Sequence, residues 1–419
     1  MAHATTGSPG LFAMREVRAM LGARLMAGLV KSGLATVVGY QVYELTGSPF
    51  ALALLGLVQA VPSVGLALLG GHLADRRDRR AITLVTNVVV LVSVLILAAI
   101  AFAGGELALL GILIVIAAYG TAWGLNRPAQ SALEAQVIPY EYASKGASAV
   151  ASMWQAGAIA GGPIAGVAYA LAGPGNTYLG LAVLLAIEVW FITWIAPRPA
   201  LPVQAGEREG LRDNLTVGIR YVMGRQVLVG SMALDLFAVL FGGVVAILPI
   251  YAADILKVGP AGLGLLNTAP AVGALLVMTV ATKRPPVHNA GRILLLCVAG
   301  FGVSILVFAV STSFVISVIA LFVTGVTDGL SVVIRTVILR VMSPEHLRGR
   351  IAAVNWIFIG TSNEIGAFES GLAAGLLGTV NSVLMGGTLT ILVAILVALR
   401  MPELRRLNLE DIPEQPAPA

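Results

Sequence analysis

Two long apolar runs, Ala51–Leu69 and Ala81–Ala103, are joined through Gly71-His72-Leu73-Ala74-Asp75-Arg76-Arg77-Asp78-Arg79-Arg80. Each run is close to the roughly 20 residues that a helix needs to cross the hydrocarbon core of a bilayer. The link between them holds four arginines and two aspartates. A charged link this short between two such runs is a tight turn at a membrane surface. Arginines resist translocation, which places this turn in the cytoplasm.

The rest of the chain repeats the theme. Of 419 residues, 58% are hydrophobic and only 11% are charged, and the mean hydropathy is +0.92. A soluble domain of this composition would expose too much apolar surface. The long runs predict an all-α, polytopic membrane protein, because a β-barrel would show short alternating segments instead. Cys297 is the single cysteine and lies in an apolar run, so no intrachain disulfide can form. The net charge of +5 reads as basic loops facing an anionic leaflet, not as a nucleic-acid surface. Residues 1–10 lack a basic region with a cleavage site, so no removable signal peptide is expected.

In order, the expected spans run near Leu21–Tyr43, then up to the arginine-rich turn, Ile82–Phe102 and Leu107–Leu125. Arg127-Pro128 should lead into a polar link, followed by spans ending near Leu171 and Ile195. The charged stretch Ala205–Arg225 reads as a linker. Further spans follow near Val227–Tyr251, Leu263–Ala281, Ile293–Val310, Phe314–Ile338, Ile351–Leu377 and Val383–Leu399. The tail from Pro402 is polar and is expected to be poorly ordered. With the N-terminus inside, nearly all Lys and Arg fall at cytoplasmic ends and the opposite loops hold only Lys257.

An internal repeat is visible. Gly56, Gln59, Pro62 and Gly65 parallel Gly264, Asn267, Pro270 and Gly273. At a second constant offset, Gly120, Gly124, Pro139, Lys145, Gly161 and Gly166 parallel Gly325, Gly329, Pro344, Arg350, Gly366 and Gly371. Two homologous halves should therefore pack as similar helical bundles.

Within the arginine-rich turn, Gly71, Leu73, Ala74, Asp75, Arg76, Arg79 and Arg80 resemble the loop signature of the major facilitator superfamily, with Asp78 where that signature has Gly. The turn must then close without a residue free to take positive φ. In the fifth span, Gly157, Gly161, Gly162, Pro163 and Gly166 partly resemble the glycine-proline motif of proton-coupled exporters in that superfamily, although small residues also serve helix packing. Asp235 to Gly243, Pro249 to Tyr251, Gly262 to Pro270, Arg348 to Arg350 and Phe368 to Gly371 look like the bacterial subfamily of siderophore and macrolide exporters.

This resemblance implies about twelve helices in two six-helix bundles, with both termini cytoplasmic and the substrate site near the midplane. The bundles would span residues 1–200 and 227–401, with a cytoplasmic linker at 201–226 and a tail at 402–419. It also implies a monomer in the bacterial cytoplasmic membrane that exports a small amphiphilic molecule, a drug or siderophore, by proton antiport. Its partners would be the substrate, protons and membrane lipids, with no nucleic acid and no cofactor. Asp75 would act as a gate, hydrogen-bonded to the start of the eleventh helix or to Arg127. A lysophospholipid flippase of the same superfamily, or a non-transporting scaffold, is the alternative. An enzyme is not expected, since the four histidines form no metal-ligand spacing and no phosphate-cradling loop exists.

The acids inside spans, Asp235, Asp328, Glu364 and Glu369, are the candidates for proton coupling, and the other charges inside spans are the cations Lys31 and Arg335. Such residues are costly in lipid and normally face a bundle interior, a partner or water. No basic residue lies within a helical turn of Asp235, which ranks it first; Asp328 has Arg335 two turns away, which suggests a bridge. Glu364 and Glu369, five residues apart, point about 140° away from each other on an ideal helix.

Overall fold

The structure, a computed structural model, describes residues 10–198, 211–283, 288–344 and 347–411. These residues are helical, with no β-strand among them. The helices are α1 (Arg15–Thr46), α2 (Pro49–Arg76), α3 (Arg79–Ala103), α4 (Ala108–Val137), α5 (Ala143–Thr193) and α6 (Leu211–Met223). They continue as α7 (Gln226–Gly242), α8 (Gly259–Lys283), α9 (Ala290–Val310), α10 (Phe314–Met342), α11 (Arg348–Leu377) and α12 (Thr379–Arg400). Among the described residues, ten helical segments are long and apolar enough to cross a membrane.

Several elements depart from the sequence expectation for local reasons. α4 does not end at Arg127-Pro128 but runs through Pro128 to Val137, because Asn126, Ala129, Gln130 and Leu133 continue its buried face. α5 is two arms that meet at Gly173 (φ 78°, ψ 173°), just before Pro174. Only glycine takes that backbone conformation without strain. The seventh segment breaks at Gly243, passes through short turns and ends as a π-helical turn at Tyr251–Ile255. The charged linker contains α6, whose Val222 is buried and whose Tyr221 hydroxyl donates to the Met342 carbonyl at 2.8 Å. The start of the tail, expected to be poorly ordered, packs on the bundle: Leu404 is fully buried, and the Gly291 amide donates to the Leu407 carbonyl at 3.2 Å. Apolar leucines at 404, 407 and 409 hold it against the bundle.

The chain divides into two compact units. One comprises residues 1–41 and 58–203; the other comprises residues 42–57 and 204–419. In the first, Leu11, Val17, Met20, Leu133, Val137, Val150 and Ile195 form a common core. In the second, a larger core joins α6, α7, α9, α10, α11, α12 and the tail through residues such as Leu228, Leu294, Ile334, Ile351 and Leu404. The hairpin of residues 42–57 belongs to this unit, where the Tyr43 hydroxyl donates to Asp254 and Ala53 abuts Gly371.

The sequence repeat is visible in the packing. In the first unit, α4 meets α2 where a Cβ at Gly120 would lie 2.4 Å from the Gln59 carbonyl oxygen. In the second, α10 meets α8 where a Cβ at Gly325 would lie 1.9 Å from the Pro270 oxygen. The pairing of α5 with α1 through Gly161 recurs as α11 with α7 through Gly366. Small residues let helices approach closely where lipid supplies no hydrophobic drive for association.

Candidate functional site

In the second unit, α7, α8, α9 and α10 enclose a cavity of about 310 Å³. Its wall is mostly apolar and includes Val239, Pro270, Val298, Phe301, Ile305 and Leu321. Asp235 from α7, Cys297 from α9 and Asp328 from α10 also line it. This volume is at the low end of small-molecule sites.

The charged side of the cavity corrects the sequence reading. Asp235 is not alone: Arg335 Nη1 is paired with its Oδ1, and the two side chains are only 10% and 11% exposed. The partner comes from a helix a hundred residues away, which the neighbours of Asp235 in sequence could not reveal. The bridge expected between Asp328 and Arg335 is present in looser form, with Nη2 to Oδ1 at 3.8 Å. That separation is a charge contact beyond hydrogen-bond range. Arg335 is steadied by its own helix through Nε donating to the Ser331 carbonyl at 3.3 Å. Asp328 lines the cavity from α10, and 47% of its side chain is exposed. One guanidinium thus serves two carboxylates, one held tightly and one facing open space.

Of the remaining acids, Glu369 is half-buried on α11. The side chain of Glu364 lies outside the described residues. The neighbouring Ser370 hydroxyl donates to the Gly243 carbonyl at 2.8 Å, which ties α11 to the break after α7.

The first unit has its own buried polar cluster, most of which the sequence reading missed. Arg24 Nη2 pairs with Glu134 Oε1 at 2.5 Å, joining α1 to α4. The Asn126 amide donates to Asn87 Oδ1 at 3.0 Å, and the Asn87 amide donates to Glu188 Oε1 at 2.8 Å. A small cavity of about 20 Å³ beside them is lined by Lys31, Asn87, Asn126, Gln130 and Glu188. That is room for about one water molecule. The Lys31 ammonium lies 4.8 Å from the Trp123 ring centre and 5.3 Å from that of Trp154, a cation–π geometry. Arg24 lies well inside α1, which begins at Arg15. A cation this deep in an apolar helix is the sequence signal that could have pointed to a buried acid such as Glu134.

Both units therefore tie their first helix to their fourth by an ion pair. The charges are reversed: Arg24 on α1 with Glu134 on α4, Asp235 on α7 with Arg335 on α10.

The arginine-rich turn closes without positive φ. Asp78 is the N-cap of α3 (φ −60°, ψ 116°), and its carboxylate accepts from the Arg80 amide at 3.0 Å. The residue that breaks the loop signature thus supplies a cap. Arg79 Nε donates to the Ala74 carbonyl at 3.2 Å, at the end of α2. Arg80 donates to the carbonyls of Ile192 and Thr193 at 3.3 and 3.0 Å, satisfying acceptors left open at the end of α5. Asp75 and Arg76 are exposed. In the glycine-proline motif, a Cβ at Gly157 or Gly161 would lie 2.2 Å from the carbonyl oxygens of Leu25 or Leu29, so these positions let α5 lie against α1. Gly162 and Gly166 are buried and Pro163 is half-buried in the same helix.

Repeated helical bundles of membrane-spanning length, with a charged cluster on the wall of a cavity, define a polytopic helical membrane protein. The chain belongs to the transmembrane secretion effector family of the major facilitator superfamily, whose pattern matches residues 20–419. Among curated proteins it is similar to the enterobactin exporter EntS of Escherichia coli O1:K1 / APEC, 26% identical over 238 residues. That match covers 57% of this chain and 54% of the other, so the chain spans about half the length of the curated relatives it matches. Among solved structures it resembles a POT family transporter in complex with 5-aminolevulinic acid (TM-score 0.74, 12% identity, 94% of this chain and 98% of that one). It also resembles the nucleoside transporter NupG (TM-score 0.72, 13% identity, 92% and 99%). At these identities the structural likeness establishes the fold alone.

Proposed function

We propose that the protein is a secondary exporter of small amphiphilic organic molecules, driven by proton influx across a bacterial cytoplasmic membrane. In this reading two six-helix bundles provide twelve spans, both termini are cytoplasmic, and the two bundles alternate access to a site near the midplane. The enterobactin exporter and the secretion family support the direction of transport.

The observation that carries the reading is the sharing of Arg335 by Asp235 and Asp328. With both acids ionised, the cluster has one negative charge in excess. Proton binding at Asp328 neutralises that excess without breaking the Asp235–Arg335 pair. Release of the proton restores it, so the cluster has two charge states at one geometry. Asp328 therefore replaces Asp235 as the first candidate for the coupling residue, and Asp235 becomes the group that holds Arg335 in place. Glu188 with Asn87 and Asn126 is the corresponding polar site of the first unit.

The test uses the purified chain in vesicles with an imposed pH difference, with enterobactin and ethidium as probe solutes. The wild-type protein is expected to concentrate at least one of them against its gradient. Asp328→Asn, which mimics the protonated state, should lose this uphill movement and keep downhill exchange. Uphill transport that survives in Asp328→Asn would remove Asp328 from the coupling role. Failure of the wild-type protein to move either solute uphill would count against proton-driven export of such molecules.

A further inference from the structure

We infer that the cavity of the second unit selects organic cations, and that Asp328 is the carboxylate that receives the cationic group. This rests on the exporter reading and adds the charge class of its substrate.

The argument is one of charge and shape. Arg335 is committed to Asp235, and both side chains are about nine-tenths shielded. Its second nitrogen stands 3.8 Å from Asp328, too far to satisfy that carboxylate by hydrogen bonding. Asp328 lines the cavity, and nearly half of its side chain is exposed. The groups that face Asp328 from the elements packed on it are Arg335 on its own helix, Asp235 from α7 and Cys297 from α9. α8 contributes Pro270, Ala271 and Ala274, none of which titrates. Among the described residues no lining residue is a cation that could offer a salt bridge to an anionic solute.

Three kinds of solute would meet this wall differently. An anion would be repelled by the excess negative charge. A neutral apolar solute would cover Asp328 and strip its water without returning a partner, which is costly. A cation with an apolar body would supply the counter-charge, and its body would rest on Phe301, Val298 and Ile305. Phe301 adds a ring face able to attract a cation. Specificity then arises from what the wall rejects as much as from what it binds. The proton and the cation would compete for one carboxylate, so binding should weaken as the pH falls and Asp328 becomes occupied by a proton. This preference differs from what the name of the enterobactin-exporting relative alone would suggest.

The test uses two ions of the same four-phenyl shape and opposite charge, tetraphenylphosphonium and tetraphenylborate, with the purified full chain. Equilibrium dialysis measures binding. Alkylation of Cys297, the only cysteine of the chain and a lining residue, reports where the ion sits. The phosphonium should bind and slow alkylation, and the borate should not slow it. Asp328→Asn should weaken phosphonium binding about tenfold or more, as expected for loss of a nearby opposite charge in a poorly screened site. Asp328→Glu should restore most of the affinity, which separates loss of charge from misfolding. Equal protection of Cys297 by both ions, protection by neither, or phosphonium binding unchanged in Asp328→Asn would each overturn the inference. The exporter reading fails separately: a phosphonium that binds in an Asp328-dependent way but is never moved uphill leaves the charge preference standing without the transport.

Discussion

Arg335 is the residue on which the charged cluster depends, because among the described residues it is the one cation paired with both acids. Removing one partner of a buried ion pair usually costs more than the pair contributes, since a desolvated charge is left behind. Arg335→Gln should therefore destabilise the purified protein by roughly 3–5 kcal/mol. Asp235→Asn should cost less, because Arg335 can turn toward Asp328. The double variant Asp235→Asn/Arg335→Gln should regain part of the loss. Thermal unfolding of the three variants would check this order. A double variant no better than Arg335→Gln would mean that the arginine acts through packing of its stem and not through charge.

Among the elements, two contacts at helix ends and crossings make distinct demands. Asp78 holds the first turn of α3 through its bond to the Arg80 amide. Asp78→Ala should cost about 1 kcal/mol, and Asp78→Gly only a few tenths, since glycine leaves the amide open to water. The crossing of α5 over α1 is stricter. A Cβ at Gly161 would lie 2.2 Å from the backbone oxygen of Leu29, which cannot rotate away as a side chain would. Gly161→Ala should then cost about 1–3 kcal/mol through forced separation of the helices. Gly71→Ala serves as its control, because no atom lies within 4 Å of that Cβ. It should stay within about 0.5 kcal/mol of the wild-type protein. Equal melting temperatures for the two alanine variants would contradict the close-approach role of Gly161.

At the scale of the whole molecule, the repeat and the asymmetry of basic residues act together. The same helix pairings recur in each unit, as Gly120 on Gln59 and Gly325 on Pro270 show. The ion pairs that join first helix to fourth occupy related places with opposite signs. A duplicated bundle can thus keep its packing while its charges diverge, leaving one unit with an acidic cavity and the other with a lysine over tryptophan rings. The concentration of basic residues at one set of helix ends predicts the orientation in the membrane. A cysteine at the exposed Arg220 position, introduced as Arg220→Cys with Cys297→Ala, should react with an impermeant thiol reagent only from the cytoplasmic side. Labelling in intact cells would reverse the assignment.

Hydropathy and charge along the chain were enough for the helical membrane class, the repeat and the charged turn, because these depend on runs of neighbouring residues. The deep acids were legible as candidates for the same reason: a carboxylate such as Asp328 inside an apolar run needs an explanation wherever it points. The partners were not legible. Asp235 looked solitary because its arginine is a hundred residues away, and only the crossing of α7 and α10 brings the two together. Glu188 is an acid in an apolar run, but its link to Asn87 and Asn126 needs three helices to converge. The same holds for Asp78, which departs from a loop signature in sequence and turns out to be a helix cap. Which residues are buried in lipid-spanning helices is a property of composition and period. Which of them share one cavity and one counter-charge is a property of helix faces, and tertiary packing alone sets those.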